Sequence, residues 1–138
     1  MHRKTWTTLT LTIAVLLVMG AFAGAAAAKN ATVGKPALSK APHMNMPFAV
    51  SGMTTPTAKK GVKVVVKIQL LMWDSSTSMY MPMHTPYTAK LVKHSGMPGY
   101  KYSQSLTIPM MGKHAVQALR YDDGKLVGKS KIRYFTVS

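Results

Sequence analysis

The chain has 138 residues, no cysteine, and 18 Lys and Arg against 3 acidic residues, for a formal net charge of +15. The absence of cysteine excludes a disulfide staple and a thiolate metal site. Three acids leave no spaced carboxylate pair for general acid–base catalysis, and the length suits one domain with one core.

The N-terminus reads as an export signal. His2, Arg3 and Lys4 make a basic opening, "LTLTIAVLLVM" (9–19) is an apolar run, and the small residues that follow end in an A-x-A site at 26–28. A signal peptide over 1–28, cleaved before Lys29, is expected. Uncleaved, the stretch 9–28 is long enough to serve as a membrane anchor. A balance this basic ordinarily points to nucleic acid or an anionic membrane. The export signal argues against nucleic acid, and the lysines are spread along the chain with no basic arm. Few carboxylates also suit an acidic exterior, where protonation turns buried ion pairs into liabilities.

Residues 29–47, "KNATVGKPALSKAPHMNMP", carry Pro36, Pro42 and Pro47 and are expected to form a flexible leader. The domain is expected over 48–138. "GVKVVVKIQLLMW" (61–73) is the clearest strand, with Val62, Val64, Val66, Ile68, Leu70 and Met72 on one face. "YTAKLVK" (87–93) is a second strand, and "HSGMPG" (94–99) is a turn. "YKYSQSLTI" (100–108) alternates cleanly, and "KHAVQALRY" (113–121) runs into a hairpin signal at Asp122, Asp123 and Gly124. "KSKIRYFTV" (129–137) closes the chain. About seven short strands and no helix after the signal predict an all-β, antiparallel sandwich.

The stretch 112–137 places Gly112 before a strand, then Asp123-Gly124, Gly128, Phe135 and Val137. It resembles the closing hairpin of small exported Ig-like domains of the YtkA-like family and, more distantly in shape, of the copper-resistance CopC family. The resemblance covers mainly residues 110–138 and implies an Ig-like sandwich. CopC-like proteins place a copper(II)-binding histidine directly after the Asp-Gly, where this chain has Lys125. Their mature chains also begin with a ligand histidine, where Lys29 stands here. Both departures argue against a copper(II) site of that type.

No Gly-x-Ser-x-Gly elbow, H-E-x-x-H or phosphate-cradling loop is present, so no enzyme is expected. The unusual feature is methionine. His43, Met44 and Met46 form one cluster, Met79, Met81, Met83 and His84 a second, and Met110, Met111 and His114 a third, with His94 and Met97 nearby in sequence. Thioether sulfur is a soft, neutral ligand that selects Cu(I), whereas zinc prefers thiolate, imidazole or carboxylate. On a strand, period two puts Met79, Met81 and Met83 on one face, and Pro82 suggests an edge or bend. These three and His84 are the expected Cu(I) ligands, with Trp73 as a cation–π cap. His43, Met44 and Met46 are expected to be a second, mobile set. The order Trp, then Met-x-Met, is similar to the copper site of CusF-type periplasmic chaperones, where the spacing is shorter and the fold a small barrel.

Methionine is also a pliable core filler. Met72, inside an apolar strand face, reads as core, and His94 and His114 read as solvated or structural. The expected function is a periplasmic Cu(I)-binding chaperone, buffer or resistance factor that passes the copper ion to a copper-accepting or copper-exporting protein at the membrane. The alternative is a metal-free binding or assembly module whose basic, Met-rich surface contacts an acidic partner or an anionic membrane. A third reading is an accessory subunit of a membrane oxidase or transporter, held by an uncleaved N-terminal helix.

Overall fold

Alternating side chains decide the architecture. In a computed structural model that describes residues 31–57, 60–93 and 98–138, every regular element is a β-strand. The export signal expected over 1–28 and the pair His94 and Met97 lie outside the described residues. The strands are β1 (Ala37–Leu38), β2 (Phe48–Thr54), β3 (Val64–Asp74), β4 (Met79–Pro82), β5 (Tyr87–Thr88), β6 (Lys90–Lys93), β7 (Tyr100–Leu106), β8 (Gly112–Asp122), β9 (Lys125–Lys129) and β10 (Arg133–Val137). They form two antiparallel sheets. One runs β1-β2-β7-β6; the other runs β10-β8-β3-β4, with β5 also on β3 and β9 also on β8. The all-β sandwich expected from the strand spacing is present.

The core is built from the facing sides of both sheets. β3 buries Val66, Ile68 and Leu70 and leaves Val65, Lys67 and Gln69 half-exposed. β8 pairs with it so that Ile68 lies opposite Ala118, Leu70 opposite Val116 and Met72 opposite His114. Val50, Tyr102 and Leu106 fill the space from the other sheet. A one-residue slip would turn each of these side chains to solvent, so burial fixes the register. The Asp-Gly signal makes the β8–β9 hairpin, with Asp123 at φ 50° and Gly124 at φ 83°, the left-handed pair that a two-residue turn needs.

Ten strands stand where about seven are expected, because one expected strand divides and β1 and β9 form where none is expected. The stretch 87–93 changes sheets at Ala89: β5 pairs with β3, while β6 pairs with β7. At the end of the chain β9 and β10 pair with the two ends of the same edge of β8, whose other edge is taken by β3.

The segment expected as a flexible leader is corrected by the structure. Residues from Thr32 onward are part of the sandwich. Val33 is buried and bridges to Thr54, and β1 pairs Ala37 with Ser51 and Leu38 with Val50. Prolines do not prevent this, because an edge strand leaves alternate N–H groups unused and a proline ring is itself apolar surface. Pro36 and Pro42 are both buried. Among the described residues no helix is long and apolar enough to cross a membrane.

Candidate metal site

Three methionines of the second cluster stand on one face, as period two requires. Met79 lies opposite Asp74 and Met81 opposite Met72, and the Met83 N–H donates to the Leu70 carbonyl at 3.2 Å. Directly paired residues share a sheet face. Met79, Met81 and Met83 therefore face the same way as Leu70 and Met72, toward the inside of the sandwich. Met83 packs against the core, while Met81 keeps 42% of its surface exposed at the edge.

Trp73 does not cap these sulfurs. The same alternation that turns Met72 inward turns Trp73 outward, opposite Tyr80. Its ring meets Tyr80 edge-on at 5.1 Å, Tyr80 meets Tyr134 at 5.0 Å, and the cation over the indole is Lys113 Nζ, 5.6 Å from its centre. His84 is exposed and stacks flat on Tyr87 at 4.6 Å. Its Nδ1 donates to the Thr85 carbonyl at 2.6 Å.

The first cluster is fastened rather than mobile. The Met44 N–H donates to the Ser138 carbonyl at 2.8 Å, and the Asn45 N–H to the Ile108 carbonyl at 2.9 Å. His43 Nδ1 lies 2.7 Å from the Ser138 hydroxyl. Asn45 closes this turn in the left-handed region, at φ 61°. Met44 and Met46 project outward, and so do Met110 and Met111 on the following connection. That connection leads into Gly112, which pairs with Val137. The three stretches 43–46, 79–83 and 110–114 thus lie toward the same end of the sandwich, although the sequence separates them widely.

His114 lies at the centre of that end. A single cross-strand row runs Met81, Met72, His114, Phe135 over β4, β3, β8 and β10. Adjacent strands are about 4.8 Å apart, so these side chains are neighbours. His114 is fully buried, and its ring lies 6.1 Å from Phe135 at an angle of 16°. Its Nδ1 is 2.9 Å from the Gly112 carbonyl. A carbonyl only accepts, so Nδ1 carries a proton, and in the tautomer this selects the lone pair is at Nε2. That atom is buried and has no hydrogen-bond partner among the described residues. Leaving such an acceptor unpaired costs about 1–3 kcal/mol.

The donor set sorts the metals. Among the described residues, no three His, Asp or Glu side chains come together. What the end offers is thioether sulfur and imidazole, the ligands of a soft ion. A strongly cationic chain also repels a monovalent ion less than a divalent one. Asp74, at the edge of this end, is held below the usual carboxylate range by the Ser76 hydroxyl and N–H, at 2.7 and 3.0 Å.

Two residues expected to be structural are thus the ones the fold draws into the row. Met72 fits the core reading by its strand face alone. His114 could be flagged from sequence only by its alternation with Val116 and Ala118, which puts an imidazole on an apolar inner face.

No family model and no curated protein matches the sequence. The solved structure of Pseudomonas fluorescens alkylpurine DNA glycosylase AlkC, bound to DNA containing an abasic site analog, aligns with a TM-score of 0.44 at 11% identity. The match covers 79% of this chain and 30% of that one, and at this distance it carries no argument about function.

Proposed function

We propose that the chain is an exported Cu(I)-binding protein that buffers copper or hands it to a partner at the membrane. One observation carries this reading: three Met/His stretches, far apart in sequence, gather at one end of a small sandwich and offer thioether and imidazole ligands without a carboxylate cluster. Thioethers need no deprotonation to bind, so such a site works in an acidic exterior. The exposed methionines Met44, Met46, Met81, Met110 and Met111 give a weakly held rim through which an ion is exchanged by ligand replacement. The export signal at 1–28 suits a periplasmic location.

A Cu(I) titration of the full-length chain tests the proposal. It is run without oxygen, in reductant, against a chromophoric Cu(I) chelator. Competition at a whole-number ratio is expected. Failure to compete even with a weak chelator overturns the copper reading.

The same rim supports a second reading, because five exposed methionines also make a pliable apolar contact surface. Leucine at these five positions keeps bulk and apolarity without sulfur. The copper reading predicts loss of Cu(I) exchange in that variant, and the contact reading predicts that partner binding survives.

A further inference from the structure

Resting on the copper reading, we infer that the imidazole ligand is His114, through Nε2, and that Met72 and Met81 of its cross-strand row complete a Met₂His site. Neither His84 nor His43 serves as the imidazole. Both of those rings are exposed, with the second nitrogen open to solvent, whereas Nε2 of His114 is buried without a partner among the described residues.

The structure prepares His114 for a metal in three ways. Its Nδ1–H is fixed by the Gly112 carbonyl, the arrangement that selects the tautomer and orients a ligating ring. Its Nε2 is fully enclosed and meets no donor. Its row neighbours are Met72 on one side and Phe135 on the other. A buried water needs two to four polar partners, and these neighbours are not strong hydrogen-bonding groups. A soft monovalent ion would instead be satisfied by the imidazole and by the thioether beside it. Met72 is half-buried and Met81 is open at the edge, so the row grades from enclosed to exposed. Cu(I) is captured at Met81 and held at Met72 and His114, and it leaves by the same edge when a partner supplies replacement ligands.

The test compares His114→Phe with His84→Phe in the full-length chain, by Cu(I) competition titration. Phenylalanine keeps a flat apolar ring against Phe135 and removes the lone pair. Loss of affinity on the order of 100-fold or more in His114→Phe, with His84→Phe unchanged, is expected. Equal Cu(I) affinity in wild type and His114→Phe overturns this inference and leaves the copper reading standing. No Cu(I) binding by the wild type overturns both. Should His114→Phe fail to fold, the wild type decides through histidine ring ¹⁵N shifts recorded with and without Cu(I). A large change at His114 Nε2 with His43 and His84 unmoved supports the assignment, and an unchanged His114 ring overturns it.

Discussion

His114 and Arg120 sit on the same face of the same strand, about 20 Å apart, near opposite ends of the sandwich. Both are buried, with His114 at 0% and Arg120 at 1% exposure. Their surroundings differ. Arg120 Nε donates to Asp122 at 2.9 Å, and Nη2 donates to the other carboxylate oxygen at 3.3 Å. Nη1 reaches the Thr54 hydroxyl at 2.9 Å and also meets the Thr55 carbonyl. The Tyr100 ring lies 6.0 Å from the guanidinium carbon. His114 makes one hydrogen bond and leaves its second nitrogen empty. Burial alone therefore does not mark a functional side chain. Arg120 is buried because the fold satisfies it, and its role is to tie β8 to the end of β2. The unsatisfied valence of His114 is the informative feature.

The largest expected effect breaks the satisfied end. Arg120→Met strips a buried pair of its cation and leaves Asp122 and the Thr55 carbonyl without their donors. Loss of about 3–5 kcal/mol of stability in urea is expected, since removing one partner of a buried ion pair leaves the other uncompensated. Cu(I) affinity of the surviving folded fraction is unchanged, because the row Met81, Met72, His114 lies at the other end. A stability loss under 1 kcal/mol would mean that the two ends differ less than their geometry implies.

The next effect runs the other way. His114→Phe removes a nitrogen that costs about 1–3 kcal/mol while it is unpaired, so the metal-free variant is expected to be as stable as the wild type or more so. On the copper reading, wild type is expected to gain about 2.7 kcal/mol of stability from Cu(I) at a hundredfold excess over the dissociation constant, and the variant none. Thermal melts with and without Cu(I) give both numbers. Marked destabilisation of the metal-free variant would show that His114 is as structural as Arg120.

The two ends also differ in how much the sequence discloses. The sandwich is legible, because Val66 and Ile68 of β3 and the tyrosines of β7 alternate with polar residues and Asp123-Gly124 marks its hairpin. Period two likewise places Met79, Met81 and Met83 on one face. What is not legible depends on long-range register. Nothing local to Met72 reveals that β8 brings His114 beside it. Nor does "HMNMP" reveal that its backbone will be held by Ser138 and Ile108, residues more than 60 positions away. Closeness in sequence suggests Trp73 as a cap for the methionines, and strand alternation separates them. The prolines of 29–47 suggest a loose leader because they disfavour central strands, yet an edge strand accepts them.

The smallest effect sharpens the satisfied end through pH. Tyr102 is fully buried, two positions from Tyr100, and its hydroxyl donates to the Gly34 carbonyl at 2.7 Å. Burial pushes its phenol well above the ordinary tyrosine range. Below about pH 10 the folded and unfolded chains both keep this proton; above it the unfolded chain releases the proton and the folded chain does not. Stability contributed by the neutral phenol is therefore lost as pH rises past about 10. Tyr102→Phe keeps the ring and removes the ionisable group, so its alkaline stability curve is expected to be flatter, after a loss of about 1 kcal/mol at neutral pH for the missing hydrogen bond. Parallel curves for wild type and variant above pH 10 would show that Tyr102 does not govern alkaline unfolding. Cu(I) bound at the far end is expected to shift both curves upward by the same amount, because His114 and Tyr102 have no hydrogen-bond partner in common.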